Sequence, residues 1–141
     1  MRWSTGSCRG RGDSLFAHVT LGTDDIDRAR AFWDAVLAPL GHARVAGHDD
    51  ARSSAWGQDE PGAHLWVTRP FDGGPARAGN GAMVSFAAPS RAAVDAAHAA
   101  ALAAGETCEG PPGLRPHYGP GFYAACFRYP DGNKANAVHY G

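Results

Sequence analysis

The 141-residue sequence predicts an α+β fold of two tandem β-α-β-β-β modules. An apolar strand pattern, a capped amphipathic helix and further short strand patterns occur in that order twice, with a Gly- and Pro-rich stretch at residues 70–80 between the copies. The length also suits one compact domain, or two small modules sharing a core. Residue identity between the halves is low, so the repeat is one of pattern. The expected organisation is an N-terminal arm at 1–13 and a single domain at 14–141, divided into module one (14–69), linker (70–80) and module two (81–141).

Residues 1–13 (MRWSTGSCRGRGD) lack periodicity and are dense in Gly, Ser and Arg, the composition of a flexible arm. The Arg11-Gly12-Asp13 tripeptide within it reads as chance in a polar tail. Residues 15–21 (LFAHVTL) are largely apolar and read as a buried strand. A helix follows, with Thr23 or Asp24 as its cap and Asp24, Asp25 and Asp27 at the positive end of its dipole. Ile26, Ala29, Trp33, Val36, Leu37 and Leu40 recur along one face, and Pro39 and Gly41 end it. Three short strands are expected around 42–46, 51–57 and 63–68, joined by turns rich in Gly, Asp and Pro.

In the second copy, residues 82–87 (AMVSFA) read as a buried strand. Ser90 caps a helix with Val94, Ala97 and Ala101 on its apolar face, and Gly105 stands where a C-terminal glycine belongs. A short strand near 106–109 and two longer ones, Phe122–Arg128 and Lys134–Tyr140, complete the module. Between them, GPPGLRPHYGPG at 110–121 excludes helix and reads as an irregular loop of the kind that flanks binding sites.

Thirteen Lys and Arg against fourteen Asp and Glu leave a net charge of -1, which argues against a nucleic-acid surface built on phosphate neutralisation. Cys8, Cys108 and Cys126 are widely spaced and form no CxxC, so neither a disulfide framework nor a thiolate zinc site is expected, and a reducing cytoplasm fits. No run approaches the ~20 apolar residues of a membrane span, and the N-terminus lacks the apolar stretch of a signal peptide. Neither a phosphate-binding glycine loop nor a Gly-x-Ser-x-Gly elbow is present.

Four phrases then carry a family likeness: Ala17-His18-Val19-Thr20-Leu21 before the Asp-rich helix entry, AFWDAVL at 31–37, Gly79-Asn80-Gly81, and Tyr129-Pro130-Asp131-Gly132-Asn133 before the last strand. Over about residues 15–140 the doubled module resembles the vicinal oxygen chelate superfamily, which includes glyoxalase I, bleomycin-resistance proteins and extradiol dioxygenases. The resemblance implies an open eight-stranded cup, pairing into homodimers, and a wall that usually carries a divalent metal. Ligands there come from the first and last strands of each unit, typically His or Glu. Carried over, the four positions are His18, Trp66, Met83 and Asn136.

Of these only His18 is a good donor for a hard or borderline cation: indole is no ligand, a thioether suits soft Cu(I), and an amide lacks the carboxylate's charge. His64, two residues before Trp66, shares its strand face about 7 Å away and could add an imidazole. The expected site is therefore a metal-free, aromatic-lined cup for a small organic molecule, formed by His18, His64, Trp66, Met83, Tyr118, Tyr123 and Asn136. Arg115 and His117 join it from the loop that lies at the cup's mouth in relatives. The alternative is a divalent-metal-dependent lyase, isomerase or dioxygenase using His18 and His64; a third reading, a structural module, needs the cup to be filled by side chains. His42, His48 and His98 read as surface or boundary residues, Cys126 as buried, and His139 as facing away from Asn136.

Overall fold

A computed structural model describes residues 15–57, 62 and 64–141; the expected arm at 1–13, with its RGD tripeptide and Cys8, lies outside the described residues. Module one runs β1 (His18–Gly22), α1 (Ile26–Leu37), β2 (Ala43–Arg44), β3 (Ser53–Gly57) and β4 (His64–Thr68). Module two runs β5 (Met83–Ala87), α2 (Arg91–Ala103), β6 (Cys108–Leu114), β7 (Phe122–Arg128) and β8 (Lys134–Tyr140). The strands form two open four-stranded sheets, ordered β1-β4-β3-β2 and β5-β8-β7-β6. In each, the first strand pairs in parallel with the last, as a strand-helix-strand crossover requires, and the remaining pairs are antiparallel.

The helix ends follow local chemistry. At α1 the cap is Asp25, whose side chain accepts the Arg28 N–H at 3.0 Å, and not Thr23 or Asp24 as expected. Those two are committed elsewhere. The Thr23 hydroxyl accepts the Asp25 N–H at 3.1 Å, and the Asp24 carboxylate accepts the linker N–H of Ala76 at 2.7 Å. Gly41 ends the short 3-10 turn Ala38–Leu40 with a φ of 90°, which lets His42 N–H reach back to the Leu37 carbonyl at 3.1 Å. At α2, Ser90 accepts the Ala93 N–H at 3.0 Å as expected. Ser90→Ala is expected to cost about 1 kcal/mol in chemical denaturation; an unchanged midpoint would remove the cap from this account.

Residues 110–114 are strand and not loop. The Pro-Pro-Gly sequence is accommodated because β6 is the outer edge of its sheet, where a missing N–H costs little, and its pairing with β7 shifts register twice. A 3-10 turn at Pro116–Tyr118 follows.

Alternation along the strands sends one face of each sheet to a common core. Leu65 and Val67 from the first sheet, and Ala125, Phe127, Ala135 and Ala137 from the second, are buried there with Val36, Val94 and Ala97 of the helices, while Val19, Leu21 and Phe86 pack against it. Two aromatics of α1 cross between the modules. The Trp33 ring lies 5.5 Å from that of Phe86 and 5.2 Å from that of Tyr129, and Phe32 lies 6.2 Å from Phe127. Burial pushes the Tyr129 hydroxyl up to about 12 although Asn133 hydrogen-bonds to it. The Asp131 side chain, itself buried, accepts the Asp24 N–H at 3.1 Å and lies 3.4 Å from the half-exposed Arg28 guanidinium, tying the entry of α1 to the turn before β8.

Candidate functional site

With Val19, Leu21, Leu65 and Val67 committed to the core side, the intervening residues His18, Thr20, His64, Trp66 and Thr68 point to the opposite face of the first sheet. The parallel register sets His18 directly against His64 and Thr20 against Trp66. His48, from the 3-10 turn Ala46–His48, completes the group: its ring is 4.7 Å from that of Trp66 and 6.0 Å, edge-on, from that of His64. These side chains, with Ser53, line a cleft of about 600 Å³. His64 is buried at its floor, 7% exposed, whereas His18 is exposed.

The described lining is three imidazoles, one indole and three hydroxyls, with no Asp, Glu, Lys or Arg. An imidazole near neutrality can donate or accept at either nitrogen, and an indole face offers stacking area. Such a wall suits an uncharged or weakly charged molecule with a flat apolar part and a few oxygens.

The second sheet repeats the geometry with different chemistry. Met83 opens β5 as His18 opens β1, and Asn136 holds the place in β8 that Trp66 holds in β4. Directly across the strands, however, Met83 meets Lys134 and Asn136 meets Ser85. Met83 is half exposed. Asn136 is 5% exposed, and its Oδ1 is buried without a hydrogen-bond partner. Neither lines the cleft of the first sheet.

The other expected residues lie farther off. The Arg115 guanidinium folds back onto β6, donating to the carbonyls of Pro111 at 2.8 Å and Gly113 at 3.0 Å. His117, Tyr118 and Phe122 stack in series at 4.1 and 5.3 Å beside that edge. Tyr123 occupies the helix-facing side of β7: it packs against the core, donates its hydroxyl to Asp95 at 2.6 Å and has the Arg91 guanidinium 5.1 Å from its ring. It therefore does not face outward with Asn136, and the Asp95 hydrogen bond holds its hydroxyl above the ordinary tyrosine range.

Among the other histidines, His98 is buried, contrary to expectation, with Nε2 3.2 Å from the Cys108 sulfur. His42 is half-buried. Burial lowers the pKa of both, in His98 against the opposing field of Asp95. A base with a folded pKa below its unfolded 6.5 stays neutral in the fold. Its contribution to stability is complete above that pH and is lost as pH falls through the folded value. The thermal midpoint is thus expected to fall between about pH 7 and about pH 5 more steeply in the native chain than in a His42→Leu, His98→Leu double variant. Equal slopes would contradict this.

The donor set decides how a family metal would fare. His18 and His64 stand side by side with His48 nearby, but among the described residues no three His, Cys, Asp or Glu side chains are grouped so that they could hold a metal ion. A catalytic first-row cation takes three protein ligands as a rule, so these residues do not fit a tightly held one. Thr20 and Thr68 share the parity of His18 and Trp66 and could have been read from alternation; His48 reaches the site only through the path of its turn.

A family model described as Glyoxalase/Bleomycin resistance protein/Dioxygenase superfamily matches residues 15–136. No curated protein matches the chain. Among solved structures, a glyoxalase/bleomycin resistance protein from Albidiferax ferrireducens T118 is 39% identical, with 91% of this chain and 100% of that chain covered and a TM-score of 0.78. A glyoxalase/bleomycin resistance protein/dioxygenase family enzyme from Burkholderia phytofirmans PsJN (18% identity, 89% and 98% covered, TM-score 0.67) shares the fold. So does a lactoylglutathione lyase from Agrobacterium tumefaciens (22%, 89% and 93%, TM-score 0.61).

Proposed function

This chain belongs to the glyoxalase/bleomycin resistance protein/dioxygenase superfamily, and from that premise we propose that it binds a small organic molecule in the cleft of its first sheet without a tightly held metal. The observation that carries the proposal is the lining itself, which among the described residues has no Asp, Glu, Lys or Arg and is built from His18, His48, His64 and Trp66. Trp66 supplies the stacking surface. His18 and His64, opposite one another on neighbouring strands, supply hydrogen bonds to the ligand's oxygens. His48 backs the indole and narrows the opening. We place the protein in the cytoplasm as a homodimer, on its cysteine pattern and the family resemblance.

The competing reading, a metal-dependent lyase, isomerase or dioxygenase, has in its favour the facing pair His18 and His64. It needs three donors placed to hold one metal ion, an arrangement that the described residues, His48 included, do not form.

Tryptophan fluorescence tests the proposal against a panel of aromatic alcohols, aromatic carboxylates, aliphatic carboxylates and neutral polyphenols. Saturable quenching by at least one class, abolished in Trp66→Phe, is expected. A flat response across the panel, or a panel in which no class loses its quenching in Trp66→Phe, would overturn it.

A further inference from the structure

The strand face that forms the cleft of module one recurs in module two with different chemistry. Where the first sheet sets His18 against His64, the second sets Met83 against Lys134, and Arg128 lies directly across from Lys134 on the next strand. These three residues and the turn at 79–82 line a second cleft, of about 430 Å³. Its described lining carries two cations and no carboxylate.

Lys134 is half-buried, and its ammonium has no hydrogen bond or ion pair among the described residues. Arg128 is held in place: Nη1 donates to the Gly132 carbonyl at 2.9 Å, and Nε lies 3.5 Å from the Glu109 carboxylate. Nη2 is left over. Glu109 reaches Arg128 from β6 and is not part of the lining, while Asp131, in the turn between the two strands, is committed to Asp24 and Arg28. Two cations against one nearby carboxylate leave the cluster positive. Like charges directly opposite on neighbouring strands repel, and an anion seated between them removes that repulsion.

The turn adds neutral donors. Asn133 Oδ1 accepts the Gly79 N–H at 2.6 Å, and the Gly79 carbonyl accepts the Ala82 N–H at 3.0 Å, closing the turn around Gly81 at a φ of 90°. The N–H groups of Asn80 and Gly81 in between have no partner among the described residues. Successive free N–H groups at a turn form an anion-binding nest. A planar carboxylate presents two oxygens on one edge, whereas the three oxygens of a phosphate group reach donors on several sides at once. The half-exposed Met83 thioether gives a small organic group an apolar contact.

We propose that this second cleft binds the phosphate group of a small phosphate monoester, with Lys134 and Arg128 on its charge and the N–H groups of Asn80 and Gly81 on its remaining oxygens. The site is separate from the cleft of the first sheet and does not rest on what that cleft binds. Ethyl phosphate, propionate and ethanol, titrated separately at neutral pH and constant ionic strength and followed by amide and methionine-methyl NMR, test it. Ethyl phosphate should give saturable shifts at the Asn80 and Gly81 amides and the Met83 methyl, propionate should bind more weakly, and ethanol should give no saturable shift there. Lys134→Gln should weaken ethyl phosphate about tenfold, the size of one charged hydrogen bond, and Lys134→Arg should retain most of the affinity. No saturable shift at those three groups, propionate bound as tightly as ethyl phosphate, or an unchanged affinity in Lys134→Gln would overturn the proposal. If Lys134→Gln does not fold, the native chain with the three ligands decides. Failure here leaves the quenching by Trp66 unaffected, so the two sites are judged separately.

Discussion

Trp33→Ala is expected to destabilise the protein by about 3–5 kcal/mol, the range for truncating a large buried aromatic. The side chain is 0% exposed and stands between modules, in ring contact with Phe32 of its own helix and with Phe86 and Tyr129 of the second module. Its removal leaves a void where α1 packs against the second module. A smaller effect offsets part of this. Trp33 Nε1 is buried without a partner, and deleting an unsatisfied donor returns roughly 1–3 kcal/mol, so the loss should fall toward the lower half of the range. Trp33→Phe narrows the terms, since it keeps a six-membered ring while removing the orphaned N–H and the rest of the five-membered ring; it should cost less than alanine. Urea unfolding followed by circular dichroism measures both. A loss below about 1 kcal/mol for Trp33→Ala would mean that the modules do not depend on this contact.

Asp34→Ala should cost about 2 kcal/mol, through a different mechanism. One carboxylate oxygen accepts the Trp56 Nε1–H at 2.8 Å and the other meets the Arg44 guanidinium at 2.9 Å. Both charged partners are partly exposed, so the ion pair adds little. The cost comes from Trp56, 1% exposed, whose N–H would be left buried and unpaired. Arg44→Ala should therefore be much milder than Asp34→Ala, and Asp34→Asn, which retains an acceptor oxygen, should recover most of the loss. Equal effects for Arg44→Ala and Asp34→Ala in the same denaturation experiment would contradict this assignment.

Because local chemistry governs caps and alternation, much of the architecture could be read directly. Ser90 before a run of small helix formers, Gly105 after it, and the parity of β4 and β8 needed no tertiary information. The first helix start was ambiguous because Thr23, Asp24 and Asp25 are all good caps; the competition was settled by the remote partners Ala76 and Asp131, which take Asp24. Residues 110–114 were misread because the rule against proline in strands relaxes at a sheet edge, and edge position is a property of topology.

The site divides the same way. Alternation alone puts His64 with Trp66, whereas placing Tyr123 away from Asn136 also needs the register that pairs Asn136 with Cys126 and Tyr123 with His139. His98 follows Val94 by four residues and Ala97 by one, so its burial against Cys108 was legible in the helical period. The opposition of His18 to His64 was not, since they are far apart in sequence and the pairing depends on how the crossover seats β1 against β4.

The central claim is that a cleft built from His18, His48, His64 and Trp66 binds its ligand without a tightly held metal, and metal content tests it most directly. Protein purified without an affinity-metal column should contain far less than one transition-metal ion per chain, and His18→Ala should leave that content unchanged. A stoichiometric metal in the native protein, lost on His18→Ala while the fold is retained, would contradict the account and establish the metal-dependent reading in its place.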